Sequence, residues 1–163
     1  MNRAYLLIGG NMGDRIANLQ HACEEIERRC GTITAKSAIY ETEAWGVDDQ
    51  PDFYNQALIL ESSIFPERLM QMFLDIETEM GRVRTEYFGS RTIDIDILFI
   101  EDQLFNTHLL KSPHPLMRQR RFALVPLAEI ASEVREPRSY RKIATLLAEC
   151  TDPLEVRRLD ITQ

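Results

Sequence analysis

The segment 81–97 combines acidic and basic side chains in a spacing that suits phosphate chemistry. Its sequence is GRVRTEYFGSRTIDIDI, in which Asp94 and Asp96 alternate with isoleucines. This period of two predicts a half-buried strand with both acids on one face, about 7 Å apart. Paired carboxylates hold hard cations such as Mg²⁺, and guanidinium groups suit phosphate oxygens. The segment supplies three such groups, on Arg82, Arg84 and Arg91. Together these residues indicate a phosphoryl-transfer site.

The aspartate pair also has a purely structural interpretation, in which a solvent-facing strand pairs its acids with nearby arginines. Aspartate is unfavourable in strands, so two on one face of an isoleucine-rich strand need a reason. The arginines favour the metal–phosphate interpretation because both components occur together. The sequence contains no GxxxxGKS or GxxxxGKT phosphate loop. Gly9, Gly10 and Asn11 are interpreted as a tight turn between a strand and a helix, with Asn11 bonding locally, rather than as an anion-binding loop.

A second group of residues would suit a flat heterocycle. The predicted loop 41–52 carries the only tryptophan, Trp45, close to Thr42. Phe53 and Asn55 would share one face of the following strand, where they offer a stacking ring and an amide that both donates and accepts hydrogen bonds. In a polar loop, Trp45 is at least as well suited to covering a ligand as to a core position. These residues predict a ligand pocket without specifying the ligand.

A second basic cluster begins at His114. Two prolines flank this histidine and hold it in an extended segment. Three arginines follow it, at Arg118, Arg120 and Arg121. Two interpretations remain open: a solvated helix start, or a histidine and arginines in contact with a polyphosphate chain.

Composition limits the classes of protein to which the chain can belong. Its 163 residues, 44% hydrophobic and 28% charged, are typical of one soluble globular domain, expected to span 1–163. The net charge of −7 argues against a general nucleic-acid or membrane-surface binder. Cys23, Cys30 and Cys150 form no CxxC pair, which is typical of a reduced cytoplasmic protein without a zinc site. The apolar run Tyr5–Ile8 is too short for a signal or membrane segment.

Hydrophobic periodicity predicts alternating strands and helices along the chain. Strands are predicted at Ala4–Ile8, Ile33–Tyr40, Phe53–Leu60 and Thr92–Ile100. Helices are predicted at Asp14–Arg29, from Pro66 to a stop at Gly81, within Met117–Ile130 with an interruption at Pro126, and at Ser139–Cys150. The segment Phe105–Pro115 is predicted to be irregular. This order predicts an α+β fold, a ferredoxin-like antiparallel sheet with helices packed on one face and the other face free to carry a site.

Four segments of the chain resemble one family, the hydroxymethyl-dihydropterin pyrophosphokinases of folate biosynthesis. They read YLLIGGNMGDRIANL, IYETEAWGVDDQPDFYNQAL, GRVRTEYFGSRTIDIDIL and PHPLMRQRRFALVPLAEI, and lie within residues 5–130. The resemblance implies transfer of pyrophosphate from ATP to the hydroxymethyl group of 6-hydroxymethyl-7,8-dihydropterin, with release of AMP. It implies two Mg²⁺ ions as cofactors and these two small molecules as substrates. No nucleic-acid or membrane partner is expected, and the protein is expected to be monomeric.

The resemblance also implies roles for individual residues. The catalytic positions are Arg82, Arg91, Asp94 and Asp96, of which the aspartates also bind the metal. The ATP-binding positions are Glu77, Arg84, Phe88, His114 and Arg120. The pterin-binding positions are Thr42, Trp45, Phe53, Asn55 and Phe122, with Phe53 and Phe122 on opposite sides of the ring.

Some positions depart from the family pattern, and they bear on ATP affinity and the adenine contacts rather than on the reaction. They are Gly10, Ala44, Leu74, Leu109 and Lys111. A nucleotidyltransferase is the closest enzyme alternative, because Gly89 and Ser90 precede the aspartate pair. In that superfamily the Gly–Ser pair stands farther ahead, and the pterin-like segments would be unexplained. A non-catalytic ligand sensor is a third possibility, for which the acid pair and both arginine clusters would be superfluous.

Overall fold

This computed structural model describes residues 1–43, 51–81 and 92–160. Their central element is an antiparallel sheet. The strands are β1 (Asn2–Gly10), β2 (Thr32–Lys36), β3 (Tyr40–Thr42), β4 (Phe53–Ser62), β5 (Asp94–Ile100), β6 (Phe105–Asn106), β7 (Lys111–Ser112) and β8 (Arg157–Arg158). The helices are α1 (Arg15–Arg29), α2 (Pro66–Glu79), α3 (Arg121–Ala131) and α4 (Ile143–Glu149), with a 3₁₀ turn at Met117–Gln119. The sheet has the order β5–β1–β4–β3–β8, with β2 also paired to β4, while β6 and β7 form a separate ribbon.

Helices α1 and α2 cover one face of the sheet. The Asp14 carboxylate caps α1 by accepting a hydrogen bond from the Ala17 N–H at 3.0 Å, and Pro66 opens α2, both at the predicted positions. Between these helices and the sheet lies the first core, which includes Leu6, Ile8, Leu19, Ile26, Phe73, Ile76, Ile93, Ile95 and Ile97. Cys23 and Cys30 are also buried in this layer. The isoleucines of β5 lie in this core together with Phe73 and Ile76 of α2, which explains why apolar residues alternate with the aspartates.

Helices α3 and α4 cover the other face, so the prediction that the helices pack on one face only is wrong. The second core includes Tyr5, Leu7, Ala57, Leu98, Phe99, Leu124, Leu127, Ile143 and Leu146. The rings of Tyr5 and Phe99 stack within it at a centroid distance of 4.3 Å. Buried apolar side chains on two turns of α3 hold that helix against the sheet. The α+β, ferredoxin-like antiparallel fold itself is confirmed.

Two strand boundaries differ from the prediction. Strand β1 continues through Gly10, so Gly9 and Gly10 are paired strand residues rather than a tight turn. The predicted strand Ile33–Tyr40 is divided into β2 and β3, because Ser37 interrupts it. The Ser37 hydroxyl accepts a hydrogen bond from the Ala57 N–H at 2.9 Å and donates to the Ala38 carbonyl at 2.7 Å. The two short strands therefore pair with different ends of β4.

The C-terminal third also departs from the predicted elements. Pro126 lies inside α3 instead of interrupting it, and it is buried against the sheet. The last helix begins at Ile143 rather than at Ser139. The reason is that the N–H and hydroxyl of Ser139 both donate to the buried carboxylate of Glu136, which closes a turn ahead of the helix. Part of the segment predicted to be irregular forms the β6–β7 ribbon.

Candidate functional site

Asp94 and Asp96 lie on the sheet face that carries the second core. In the antiparallel register Asp94 lies opposite Gly9, and Asp96 lies opposite Leu7. Both acids are half-buried, and the isoleucines between and beside them point into the first core. The strand therefore presents two carboxylates side by side, as the period of two in the sequence predicts.

Glu77 of α2 supports this strand from its open side. Its carboxylate is buried, with 2% of the residue exposed, and accepts a hydrogen bond from the Ile95 N–H at 2.8 Å. Strand β5 is an edge strand, so the carboxylate takes the place that a further strand would fill. The Ile95 N–H lies between Asp94 and Asp96 in the sequence, and the hydrogen bond fixes the backbone that carries both. A contact between Glu77 and ATP stays a prediction.

Thr42 and Asn55 lie on the same sheet face as the aspartates. Asn55 is paired with Gly9 on one side and with Tyr40 on the other, and Thr42 is paired with Phe53. Thr42 is 2% exposed and Asn55 is 5% exposed. Within residues 1–43, 51–81 and 92–160, neither side chain makes a hydrogen bond. Among the described residues only the Ser112 hydroxyl is both fully buried and unpaired, so the Thr42 hydroxyl and the Asn55 amide still reach solvent and are open to a ligand.

Three side chains hold the start of β4, which presents the Phe53 ring to this face. Asn11, predicted to bond locally, donates instead to the Pro51 carbonyl at 3.0 Å, and Arg15 donates to the Asp52 carbonyl at 2.8 Å. Arg157 of β8 pairs with the Asp52 carboxylate at 3.2 Å. Sequence reasoning missed Arg15 and Arg157 because their partners are remote in the chain. No local pattern could have revealed them.

The N-terminus of α3 brings two further predicted residues to this face. Phe122 lies in its first turn and packs against the second core. The guanidinium carbon of Arg120 lies 5.4 Å from the centroid of the Phe122 ring. The Arg121 N–H donates to the Asp152 carboxylate at 3.0 Å, so the C-terminal segment caps the helix that carries Phe122 and directly follows Arg120.

His114 is held by two backbone hydrogen bonds. Its N–H donates to the Leu98 carbonyl at 2.7 Å, and its Nδ1 accepts from the Leu116 N–H at 3.2 Å. Burial, together with the nearby charge of Arg120, lowers the pKa of His114 to about 4. The ring is therefore neutral at pH 7, and its proton lies on Nε2. His114 can offer a phosphate a neutral N–H donor rather than a positive charge.

We expect the protein to lose stability as the pH falls from 6.5 toward 4, because His114 takes up a proton in this range only when the chain is unfolded. The unfolded state then binds more protons, so this contribution is present above pH 6.5 and is lost on acidification. His114→Asn keeps an acceptor for the Leu116 N–H but does not titrate. Denaturant unfolding measures the free energy of unfolding of both proteins at pH 7 and at pH 4. Between these pH values it should fall by on the order of 2 kcal/mol more in wild type than in His114→Asn. Equal losses in the two proteins would contradict the assignment.

Ser112 of β7 carries a fully buried hydroxyl that has no hydrogen-bond partner among the described residues. We expect Ser112→Ala to raise the free energy of unfolding by about 1 kcal/mol, since an unpaired buried hydroxyl is costly. Ser62→Ala is the matched control, because the equally buried Ser62 hydroxyl donates to the Cys30 carbonyl at 2.6 Å. That change should lower the free energy of unfolding by about 1 kcal/mol. If the free energy of unfolding falls equally in both variants, the Ser112 hydroxyl has a hydrogen-bond partner in solution.

His114 lines a cleft of about 460 Å³ together with residues of the 3₁₀ turn and α4. Its lining combines two arginines, Arg118 and Arg138, with two acids, Glu136 and Glu149. A contact between Arg118 and a polyphosphate stays a prediction.

Five of the predicted site residues lie outside the described residues, and their roles stay predictions. They are Trp45, Arg82, Arg84, Phe88 and Arg91. The other predicted positions lie in described segments, and the sheet register brings Thr42, Phe53, Asn55, Asp94 and Asp96 together on one face.

The aspartate pair fits a Mg²⁺ site by its chemistry. Mg²⁺ prefers oxygen ligands and is commonly held by one or two carboxylates together with substrate phosphates. Among the described residues, no group of three or more His, Cys, Asp or Glu side chains could hold a metal ion. Two carboxylates such as Asp94 and Asp96 suit a Mg²⁺ site that substrate oxygens complete.

Comparison with known proteins identifies the family. The model for the family "7,8-dihydro-6-hydroxymethylpterin-pyrophosphokinase (HPPK)" matches residues 5–132. The chain belongs to this family. One relative is the 2-amino-4-hydroxy-6-hydroxymethyldihydropteridine pyrophosphokinase of Methylorubrum extorquens, 42% identical over 82% of this chain and 85% of that protein. The enzyme of the same name from Aquifex aeolicus is 40% identical over 87% of this chain and 88% of its own.

Solved structures agree with the fold that family membership implies. The Plasmodium falciparum HPPK-DHPS structure with pteroate superposes with a TM-score of 0.72 at 16% sequence identity. The match covers 91% of this chain and 42% of that chain. This chain therefore spans less than half the length of the HPPK-DHPS protein, and the likeness bears on the fold alone.

Proposed function

We propose that this chain transfers a pyrophosphoryl group from ATP to the hydroxymethyl group of 6-hydroxymethyl-7,8-dihydropterin, giving AMP and the dihydropterin diphosphate. One observation carries the proposal beyond family membership. Across neighbouring strands, the Asn55 amide, the bare backbone of Gly9 and the Asp94 carboxylate lie in one row. A heterocycle held at Asn55 would thus have its hydroxymethyl group beside the acid pair. This juxtaposition suits an alcohol that attacks a polyphosphate.

The pterin would be held by hydrogen bonds along its polar edge and by rings on its faces. Thr42 and Asn55 are buried residues whose hydroxyl and amide still reach solvent and make no hydrogen bond to other described residues, so they can bond the donors and acceptors of the pterin edge. Phe53 and Phe122 offer rings from β4 and α3 for stacking on the two faces. Trp45 is proposed, from its loop position, to cover the bound ring.

Asp94 and Asp96 would hold Mg²⁺, of which two ions are proposed. When bound, Mg²⁺ neutralises phosphate charge and polarises phosphoryl oxygens. The protein's own contribution is chiefly positioning and electrostatic stabilisation, since phosphoryl transfer requires little covalent work from side chains. Glu77 keeps the strand in place, and both acids lie half-buried on the sheet face that carries the second core.

The nucleotide would be bound by the basic residues on the other side of the acid pair. The His114 Nε2–H is a neutral donor, and Arg120 is a fixed cation beside it, so the pair can bind phosphate without adding a titrating charge. Arg82 and Arg91 are proposed to stabilise charge on the transferred group. Glu77, Arg84 and Phe88 complete the proposed ATP-binding set.

In the proposed reaction, the hydroxyl oxygen of the substrate bonds to the β-phosphorus of ATP. The bond from that phosphorus to the bridging oxygen of the α-phosphate breaks, and AMP leaves with its electron pair. The hydroxyl proton is released. The arginines and His114 would keep the polyphosphate in line with the attacking oxygen.

The product distribution tests this function directly. Purified protein is mixed with ATP, Mg²⁺ and hydroxymethyl-dihydropterin, and the nucleotide products are separated. AMP that forms only when the pterin is present is the expected result. ADP would mean γ-phosphoryl transfer, and pyrophosphate would indicate the nucleotidyltransferase. A folded protein that forms no nucleotide product would favour the ligand sensor.

The location, domain organisation, oligomeric state and partners of the protein are also proposed. A cytoplasmic location is consistent with three cysteines that are free in the structure. Within the described segments, no helix combines the length and apolar character needed to cross a bilayer. A single domain over 1–163, a monomeric state and the absence of a nucleic-acid or membrane partner are also proposed on the basis of composition and charge.

A further inference from the structure

Gly9 occupies a position where glycine has no backbone reason to occur. It lies inside β1, paired with Asn55 on one side and Asp94 on the other. The glycines of the described segments that adopt positive φ are Gly13, Gly31 and Gly81, and Gly9 is not among them. Glycine in a strand interior weakens the strand and often marks a close approach of another group. A close contact on the sheet face should therefore explain it.

That contact is the side chain of Asn55. A Cβ atom on residue 9 would lie 2.1 Å from the Asn55 Oδ1 and 3.1 Å from its Cγ. The amide oxygen therefore lies over the bare backbone of β1, in the space that any other side chain would occupy. It extends from β4 toward the strand that carries Asp94.

We propose that Gly9 is a positioning residue for Asn55, and that its missing side chain sets where the amide meets the substrate. The inference rests on the proposed function, because it assigns Asn55 to the polar edge of the pterin. The substrate class is a flat heterocycle that offers a donor and an acceptor on one edge and carries a primary hydroxyl. With the amide seated over Gly9, the hydroxyl of such a molecule reaches Asp94 of the neighbouring strand.

An added methyl group should move the amide without unfolding the protein. The clashing atom is the far end of a side chain that makes no hydrogen bond to other described residues, so the side chain can rotate away. The nearest backbone atom, the Tyr54 carbonyl oxygen, is 3.0 Å from the added Cβ, and a shift of a few tenths of an ångström relieves it. Misplacing a substrate-binding group by about 1 Å can cost as much as 10²-fold in rate. The effect should thus fall on pterin binding and turnover.

A double-mutant cycle tests this inference with Gly9→Ala, Asn55→Ala and the variant that combines them. Calorimetry measures hydroxymethyl-dihydropterin binding in the presence of Mg²⁺ and a non-hydrolysable ATP analogue, and thermal unfolding monitors the fold. Gly9→Ala should raise the Kd for the pterin about tenfold, the size expected for one or two lost hydrogen bonds, and change the Kd for the ATP analogue less than twofold. In the Asn55→Ala background, where the amide is gone, Gly9→Ala should change the pterin Kd less than twofold.

The other outcomes are equally decisive. The positioning role is overturned if the pterin Kd of the combined variant changes by the product of the two single factors. It is also overturned if Gly9→Ala leaves the pterin Kd unchanged. If Gly9→Ala fails to fold, the combined variant decides the matter. Folding of the combined variant would support the contact with Asn55, and its failure to fold would overturn it. Failure of the proposed function is recognised separately, because wild type would then form no AMP, or Asn55→Ala would bind the pterin as tightly as wild type.

Discussion

Replacing Asp96 with alanine is expected to lower kcat at least about 10³-fold, because a carboxylate that supports several kcal/mol of charge stabilisation is removed. The side chain is half-buried on the sheet face and lies outside both cores, so the fold should survive. Initial rates of AMP formation at saturating ATP and pterin measure the effect, and thermal unfolding confirms that the variant is folded.

Two further variants separate a metal-binding role from general surface charge. Asp96→Asn keeps the size of the side chain and removes its charge, so it should lose nearly as much activity as Asp96→Ala. Asp75→Ala removes an exposed carboxylate of α2 that accepts a hydrogen bond from Gln71 at 3.1 Å. It should leave kcat within about twofold of wild type, as expected for a surface position. Wild-type rates in a folded Asp96→Ala protein would remove the metal assignment.

The residue placements that the sequence predicted correctly are those encoded by local period. Asp94 and Asp96 alternate with isoleucines that are buried on the opposite face, and this pattern alone places both carboxylates on one face. Phe53 and Asn55 share a face for the same reason. In α2, Phe73 and Ile76 mark the buried stripe, and Pro66 marks the start of the helix.

What local patterns could not predict is contact between segments that are distant in the chain. The seat of Asn55 over Gly9 depends on the register between β1 and β4, which only the assembled sheet fixes. The two-sided coverage of the sheet was missed for a related reason. Helix α3 is apolar on most of its surface, and a proline such as Pro126 is typical of a helix break. The family resemblance implies a pterin-binding role for Phe122 that periodicity does not, and this role stays a prediction.

Glu77 is a case in which a signal was present in the sequence. It directly follows Ile76 on the buried side of an amphipathic helix, where an acid is expected only with a partner. The structure supplies that partner as the Ile95 N–H, at 2.8 Å. An acid placed on the apolar stripe of a helix next to a candidate catalytic strand is thus a sign of a positioning residue.

Glu77→Ala is accordingly expected to lower the free energy of unfolding by about 2–4 kcal/mol, since it leaves a buried N–H unpaired and opens a cavity. Because that N–H belongs to the backbone between Asp94 and Asp96, kcat should also fall by roughly 10- to 100-fold, the range typical of groups that orient metal ligands. Denaturant unfolding and AMP formation measure the two effects. Glu79→Ala is the matched control, because Glu79 is exposed on the same helix and pairs with Arg29 at the surface. It should change stability by less than about 1 kcal/mol.

Glu77→Gln distinguishes positioning from direct participation. Its side-chain oxygen can still accept the hydrogen bond from Ile95, while the charge is lost. If Glu77 acts by holding β5, the glutamine variant should recover most of the stability and most of the turnover that alanine loses. If the glutamine variant is stable but as inactive as the alanine variant, the carboxylate charge itself acts on the nucleotide or on the bound cation. Glu77 would then act on the bound groups together with Asp94 and Asp96, rather than only hold the strand that carries them.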